Sequence, residues 1–244
     1  MTNQDFLNKI LASFKSFVEI GTSRSTAKLK PLHGAIAKDI SDLLNKSNNN
    51  FLIKSQGYGD DREASIEGRY VDKMVDITII DRKKRKAVAG IAVKFVMQNY
   101  SQNSNNYFEN MLGETANIRT ADCPYFQIFI ILDKLPYYKN SGELSKWEEF
   151  TDHNITKYCR LSYDDIDRFF HTPNKTLIYV VHSMPEVPER RIFTKEGYLD
   201  FYRRNPPTLT LTSHEYPNIK SGGAVILNDY ETFIKKVYHT IMAR

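Results

Sequence analysis

Two cysteines, one tryptophan and no apolar run near 18 residues are the first things the 244-residue chain withholds. Cys123 and Cys159 make no metal-binding or redox spacing, so the cysteine usage reads as that of a reduced, cytoplasmic protein without disulfides. The lack of a long apolar run, with a negative mean hydropathy, argues against a membrane span. The start, MTNQDFLNKILASF, has no basic segment ahead of an apolar one and does not read as a secretory leader. A Gly-rich phosphate loop, HExxH, Gly-x-Ser-x-Gly and CxxC are all missing. The six histidines are scattered, without metal-ligand spacing, and His33 reads as a surface or helix-start residue.

What is present is ordinary for a globular α/β protein: 41% hydrophobic and 26% charged residues, enough chain for one sizeable core. The net charge of +5 leans toward a polyanionic partner, and the basic residues are spread along the chain, as on a folded basic surface.

Apolar spacing predicts helices over 5–20, stopped by Gly21, and from Pro31 to about Leu44. A polar loop is expected over 22–30, and the run 46–50 ends the second helix. Short strands are expected in 51–59 and 64–70. The β-branched run Met74 to Ile80 reads as one buried strand carrying Asp76. DRKKRK (81–86) turns the chain into a partner strand, 87–97, with Lys94. The segment 98–106 holds four Asn and two Gln in nine residues and reads as a loop, with the next helix starting at Asn105 or Asn106 and ending near Ile118. Further strands are expected over 124–132, 176–182 and 208–212. Helices are expected over 162–171 with Ser162 as N-cap, 195–202 and 228–242, and 135–152 reads as an aromatic, charged connection. No linker divides the chain, so 1–244 is taken as a single domain.

A carboxylate and an ammonium on adjacent strands, with glutamates on the following helix, suit phosphodiester hydrolysis. A carboxylate-held divalent ion activates water and offsets phosphorane charge, and a lysine beside it positions the water. On spacing alone, Asp76 and Lys94 read as a buried ion pair.

The order helix, strand, Asp-bearing strand, turn, x-x-Lys strand, helix, strand resembles the PD-(D/E)XK nuclease core. Val75-Asp76 and Ala92-Val93-Lys94 carry the resemblance, and KFVMQNYSQNSNNYFENMLGETANIR is similar to the wording of some type II restriction endonucleases. It implies an α/β, restriction-endonuclease-like αβββαβ fold, its mixed central sheet flanked by helices, with family-specific insertions. The core would lie at about 30–135 and 160–183, and 184–244 would be a DNA-contacting elaboration. It also implies a Mg²⁺-dependent, site-specific endonuclease acting on double-stranded DNA. Such an enzyme works as a homodimer, with a cognate DNA methyltransferase as genetic partner. A catalytically inactive DNA-binding module and a repair or recombination nuclease of the same fold are the alternatives.

Ala92 stands where that pattern has its second acid, and it can offer a metal only its backbone carbonyl. The resemblance therefore assigns Asp76, Ala92 and an acid from elsewhere to the metal, and Lys94 to the water. Glu109 and Glu114 lie about 140° apart on a helix. Glu109 shares a face with Leu112, Gly113 and Ala116, and Gly113 would let that face approach the sheet, so Glu109 is the expected catalytic and metal-binding acid. Glu114 and Glu67 are held in reserve, and an engineered Ala92 is a further reading. Expected DNA contacts are Gln98, Asn99, Tyr100, Asn103, Asn105 and Asn106 at the site's rim, and Arg190, Arg191, Arg203 and Arg204 beyond it.

Overall fold

In the computed structural model, residues 1–21, 26–46, 50–217 and 219–244 are described. The expectations for 22–25 and for 47–49 lie outside them. The chain begins with α1 (Asn3–Ile20) and α2 (Lys30–Leu44), followed by strands β1 (Phe51–Ser55), β2 (Ala64–Ile66), β3 (Lys73–Val75), β4 (Ile77–Asp81) and β5 (Lys86–Val96). Next come α3 (Tyr100–Arg119), β6 (Tyr125–Leu132), the hairpin β7 (Lys134–Tyr138) and β8 (Leu144–Glu149), α4 (Asp152–Leu161) and β9 (Lys175–Met184). The last elements are α5 (Lys195–Arg204), β10 (Thr208–Leu211), β11 (Val225–Leu227) and α6 (Tyr230–Met242). Among the described residues, no helix is long and apolar enough to cross a membrane.

The architecture is mixed α/β. One mixed sheet runs in the order β1-β4-β5-β6-β9-β10, with β11 pairing β9 in parallel. The β1-β4-β5 side is antiparallel, while β5-β6-β9 is parallel. Every residue of β6 is buried, as expected of a parallel strand covered on both faces. Side chains three apart on a strand face opposite ways. Phe126 accordingly meets Phe233 of α6, and Phe129 meets Tyr158 of α4. Helices α1, α2, α5 and α6 pack together, while α3 lies against β6.

Four expectations need correction. The strand across Asp76 is broken there: β3 pairs with β2 in a small separate sheet, and β4 enters the main sheet. Helix α3 starts at Tyr100, so most of the amide-rich run is helical rather than loop. Its early start has a remote cause, because the buried Glu148 of β8 accepts from the Ser101 amide and hydroxyl, placing a carboxylate on the helix N-terminus. The connection at 135–152 is largely the β7–β8 hairpin. Ser162 caps the C-terminus of α4 instead of starting a helix, because the Thr151–Asn154 capping box begins that helix ten residues earlier than expected.

Candidate functional site

Asp76 occupies the break between β3 and β4. Ile77 pairs with Ile91, so Asp76 lies beside the middle of β5, and its Oδ2 accepts from the Val93 amide at 2.7 Å. The side chain thus replaces a ladder bond that a continued strand would have made. Burial pushes the Asp76 carboxyl up to about 6, against the pull of that hydrogen bond, with Glu114 pushing the same way. Lys94 does not close an ion pair on it. Its ammonium sits 4.5 Å from the Tyr107 ring centre, and burial lowers its pKa despite the attraction of Asp76 and Glu114.

Asp76, Ala92, Lys94 and Glu114 line one open cavity of about 430 Å³, together with Lys73, Tyr107, Tyr125 and Gln127. Glu114 reaches it because α3 turns Tyr107, Met111, Thr115 and Ile118 toward the sheet, the latter three buried. Its carboxylate pairs with Lys73 at 2.5 Å and accepts from the Tyr125 hydroxyl at 3.4 Å. Deep burial holds that phenol far above its ordinary range, so it stays a donor. Gln127, the neighbour of Ala92 on β6, is buried, and its amide nitrogen makes no hydrogen bond of good geometry.

Glu109 is outside this group. It is exposed, its charge acts on Lys157 rather than on Asp76 or Lys94, and it lines none of the cavity. A Cβ on Gly113 would meet nothing within 4 Å, so the glycine brings that face no closer to the sheet. The Gly113 face looks to solvent. Glu67 is likewise exposed and away from the cavity.

A second group of ligands meets Asp76 from the α2 side. One ligand atom each of His33, Glu63 and Asp76 lie within 4.8 Å of one another. His33 is only 2% exposed, and neither ring nitrogen has a hydrogen-bond partner. Burial drives its pKa down to about 4, leaving a neutral imidazole at pH 7. Glu63 accepts from Gln56 at 2.9 Å, and its pKa is raised first by burial and then by Asp76. The surface reading of His33 is therefore overturned: it lies in the first turn of α2 and faces inward. The signal available in sequence was Gly34 beside it. A Cβ there would lie 2.2 Å from the Gly57 carbonyl oxygen, so α2 meets the β1–β2 loop backbone to backbone.

The donor set suits a divalent cation: half-buried carboxylates with raised pKa values, one of them without a cationic partner in hydrogen-bond range, and a buried neutral imidazole. Asp76 and Glu114, with the Ala92 carbonyl, could hold an ion on the cavity side, and His33 and Glu63 on the other.

The cavity continues into a groove of about 820 Å³ lined by Lys28, Lys94, Lys139 and Lys195 with Gln98, Gln102, Asn103 and Asn140. No carboxylate lines it among the described residues. Lys28 falls to about 8, first through burial and then through Lys94 and Lys195. Of the expected rim contacts, Gln98, Asn99 and Asn103 line this groove. Asn99 is occupied in structure, donating to the Tyr138 carbonyl and accepting from its amide, both at 2.9 Å. Tyr100 is a core residue against Phe129 and Phe150, too buried to touch a ligand. Asn105 and Asn106 are exposed on α3. Arg190, Arg191 and Arg204 are exposed and Arg203 is pinned by Glu196, Asp200 and the Val18 carbonyl; none of the four lines the cavity or the groove.

No family model, no curated protein and no solved structure matches this chain.

Proposed function

We propose that this protein is a metal-dependent endonuclease that hydrolyses phosphodiester bonds in double-stranded DNA, of the PD-(D/E)XK type and in the manner of type II restriction enzymes. The observation that carries the reading is the half-buried Asp76 carboxylate, without a salt-bridging cation, sharing one cavity with Lys94 and Glu114. A carboxylate kept from water without a cation is costly, and a ligand cation would relieve it.

Asp76 and Glu114 would hold the ion, here expected to be Mg²⁺, with the Ala92 carbonyl. The ion would supply a water of lowered pKa and charge compensation at the phosphorus. Glu114 takes the part of the acid that Ala92 lacks. Lys94 orients the attacking water and faces charge developing on the phosphate, and its lowered pKa eases proton exchange. The Tyr125 hydroxyl fixes the Glu114 carboxylate. The lysine and amide groove takes the phosphate backbone leading to the cut. Cutting both strands of a symmetric site calls for a homodimer, and a restriction role for a cognate methyltransferase.

The second reading, a DNA-binding module without catalysis, draws on Ala92 and on the Lys73 ammonium already 2.5 Å from Glu114. Digestion of a mapped plasmid with Mg²⁺, Mn²⁺ or chelator separates the two. Metal-dependent discrete fragments are expected. A mobility shift of the same DNA with no cleavage in either metal would select the binding module, and smearing would select a repair nuclease.

A further inference from the structure

The His33–Glu63–Asp76 group differs in chemistry from the carboxylate pair on the cavity side. It offers an aromatic nitrogen. Mg²⁺ demands oxygen ligands and holds its waters, whereas an imidazole nitrogen suits first-row transition ions. Donors about 2.1 Å from one ion lie about 3 to 4.2 Å apart, and the three ligand atoms here lie within 4.8 Å of one another, so the group has only to draw inward to close around an ion.

Three independent features of the fold build this site. The Gly34–Gly57 backbone contact brings α2 against the β1–β2 loop, with His33 next in sequence to the contact. The loop is fixed by its own polar contacts: the Gly57 amide donates to Asp61 at 2.6 Å, Lys30 pairs with Asp61 at 2.6 Å, and Gln56 holds Glu63. The break between β3 and β4 delivers Asp76 from the sheet. At their meeting point the imidazole is buried with both nitrogens unbonded, which is costly for a polar ring unless something else satisfies it.

We infer that His33, Glu63 and Asp76 form a binding site for a first-row divalent transition-metal ion, selective over Mg²⁺. The site shares Asp76 with the proposed nuclease centre, but metal binding there stands independently of whether the protein cuts DNA.

The test uses Mn²⁺ as the probe on the full chain carrying Lys94→Ala, which removes the residue assigned to the water while leaving all three ligands. Titration followed by electron paramagnetic resonance is expected to give one tightly held Mn²⁺ per chain that excess Mg²⁺ displaces poorly. Electron spin echo modulation is expected to show coupling to a ¹⁴N nucleus. His33→Ala should remove that coupling and weaken Mn²⁺ binding by at least about 10- to 100-fold, the range that loss of even an outer-shell partner produces. Because the ¹⁴N coupling is read without altering His33, a poorly folding variant does not blunt the test. Bound Mn²⁺ without ¹⁴N coupling, equal displacement by Mg²⁺, or no binding would each overturn the inference. Mg²⁺-dependent DNA cutting by the unaltered protein in that event would leave the nuclease reading intact, and ¹⁴N-coupled Mn²⁺ in a protein that cuts nothing would do the reverse.

Discussion

At the scale of single residues, Asp76 sets the electrostatics of the site. Its folded pKa of about 6 lies above the ordinary 3.8, so the folded chain binds this proton more tightly than the unfolded one. Its contribution to stability is therefore most favourable below about pH 4 and is lost as pH rises through 6. Asp76→Asn keeps an acceptor for the Val93 amide and removes the charge. Thermal melts without metal should show the variant stabilised at pH 7.5, by up to about 3 kcal/mol, with the gain vanishing at pH 4. Metal affinity should run the other way, climbing between pH 5 and 7 as the carboxyl ionises and disappearing in the variant. A second prediction separates the two helix glutamates. Glu114→Gln should cut the rate of metal-dependent DNA cleavage by about 10²-fold or more, while Glu109→Gln leaves it unchanged.

Elements explain how much could be read in advance. The apolar runs of α1, α2, β6, β9 and α6 carry their own signal, and each lies within a few residues of its expected place. Asp76 and Lys94 were legible because strand and turn chemistry around DRKKRK dictates a hairpin, and they now line one cavity. What escaped depends on partners far along the chain. Glu148 sets the start of α3 from 47 residues away. The inward face of α3 is chosen by its Met111, Thr115 and Ile118 stripe, which outweighed the lure of Gly113. His33 and Glu63 meet through the contact of two glycines, and Glu63 stands in the charged run Asp60-Asp61-Arg62-Glu63, which carries no sign of a site. That contact is itself testable. Gly34→Ala would put a Cβ 2.2 Å from the Gly57 oxygen, so urea denaturation should show a loss of about 1–3 kcal/mol, and the triad should bind Mn²⁺ more weakly than in the unaltered chain.

For the whole molecule, part of the positive charge has a location: four lysines and a set of amides lie along one groove leading out of the cavity that holds Asp76 and Glu114. A polyanion entering there would release counterions, so duplex affinity should fall steeply with salt. Lys139→Ala and Lys195→Ala should each flatten the log–log salt slope by about 1 in fluorescence anisotropy, without changing sequence preference. Lys28 adds a pH signature. With its pKa near 8, it is charged at pH 7 and largely neutral at pH 9, so duplex binding should weaken across that window. If affinity is flat from pH 7 to 9 and indifferent to both substitutions, the groove is not the DNA path.

The most direct test of the account is the initial rate of cutting of one mapped supercoiled plasmid, with Mg²⁺ and with Mn²⁺, by the unaltered chain, Lys94→Ala and Glu114→Gln. The account predicts discrete, metal-dependent fragments from the unaltered chain and a loss of about 10²-fold or more in both variants. Full activity in either variant, or an unaltered chain that binds the plasmid and never cuts it, would contradict it.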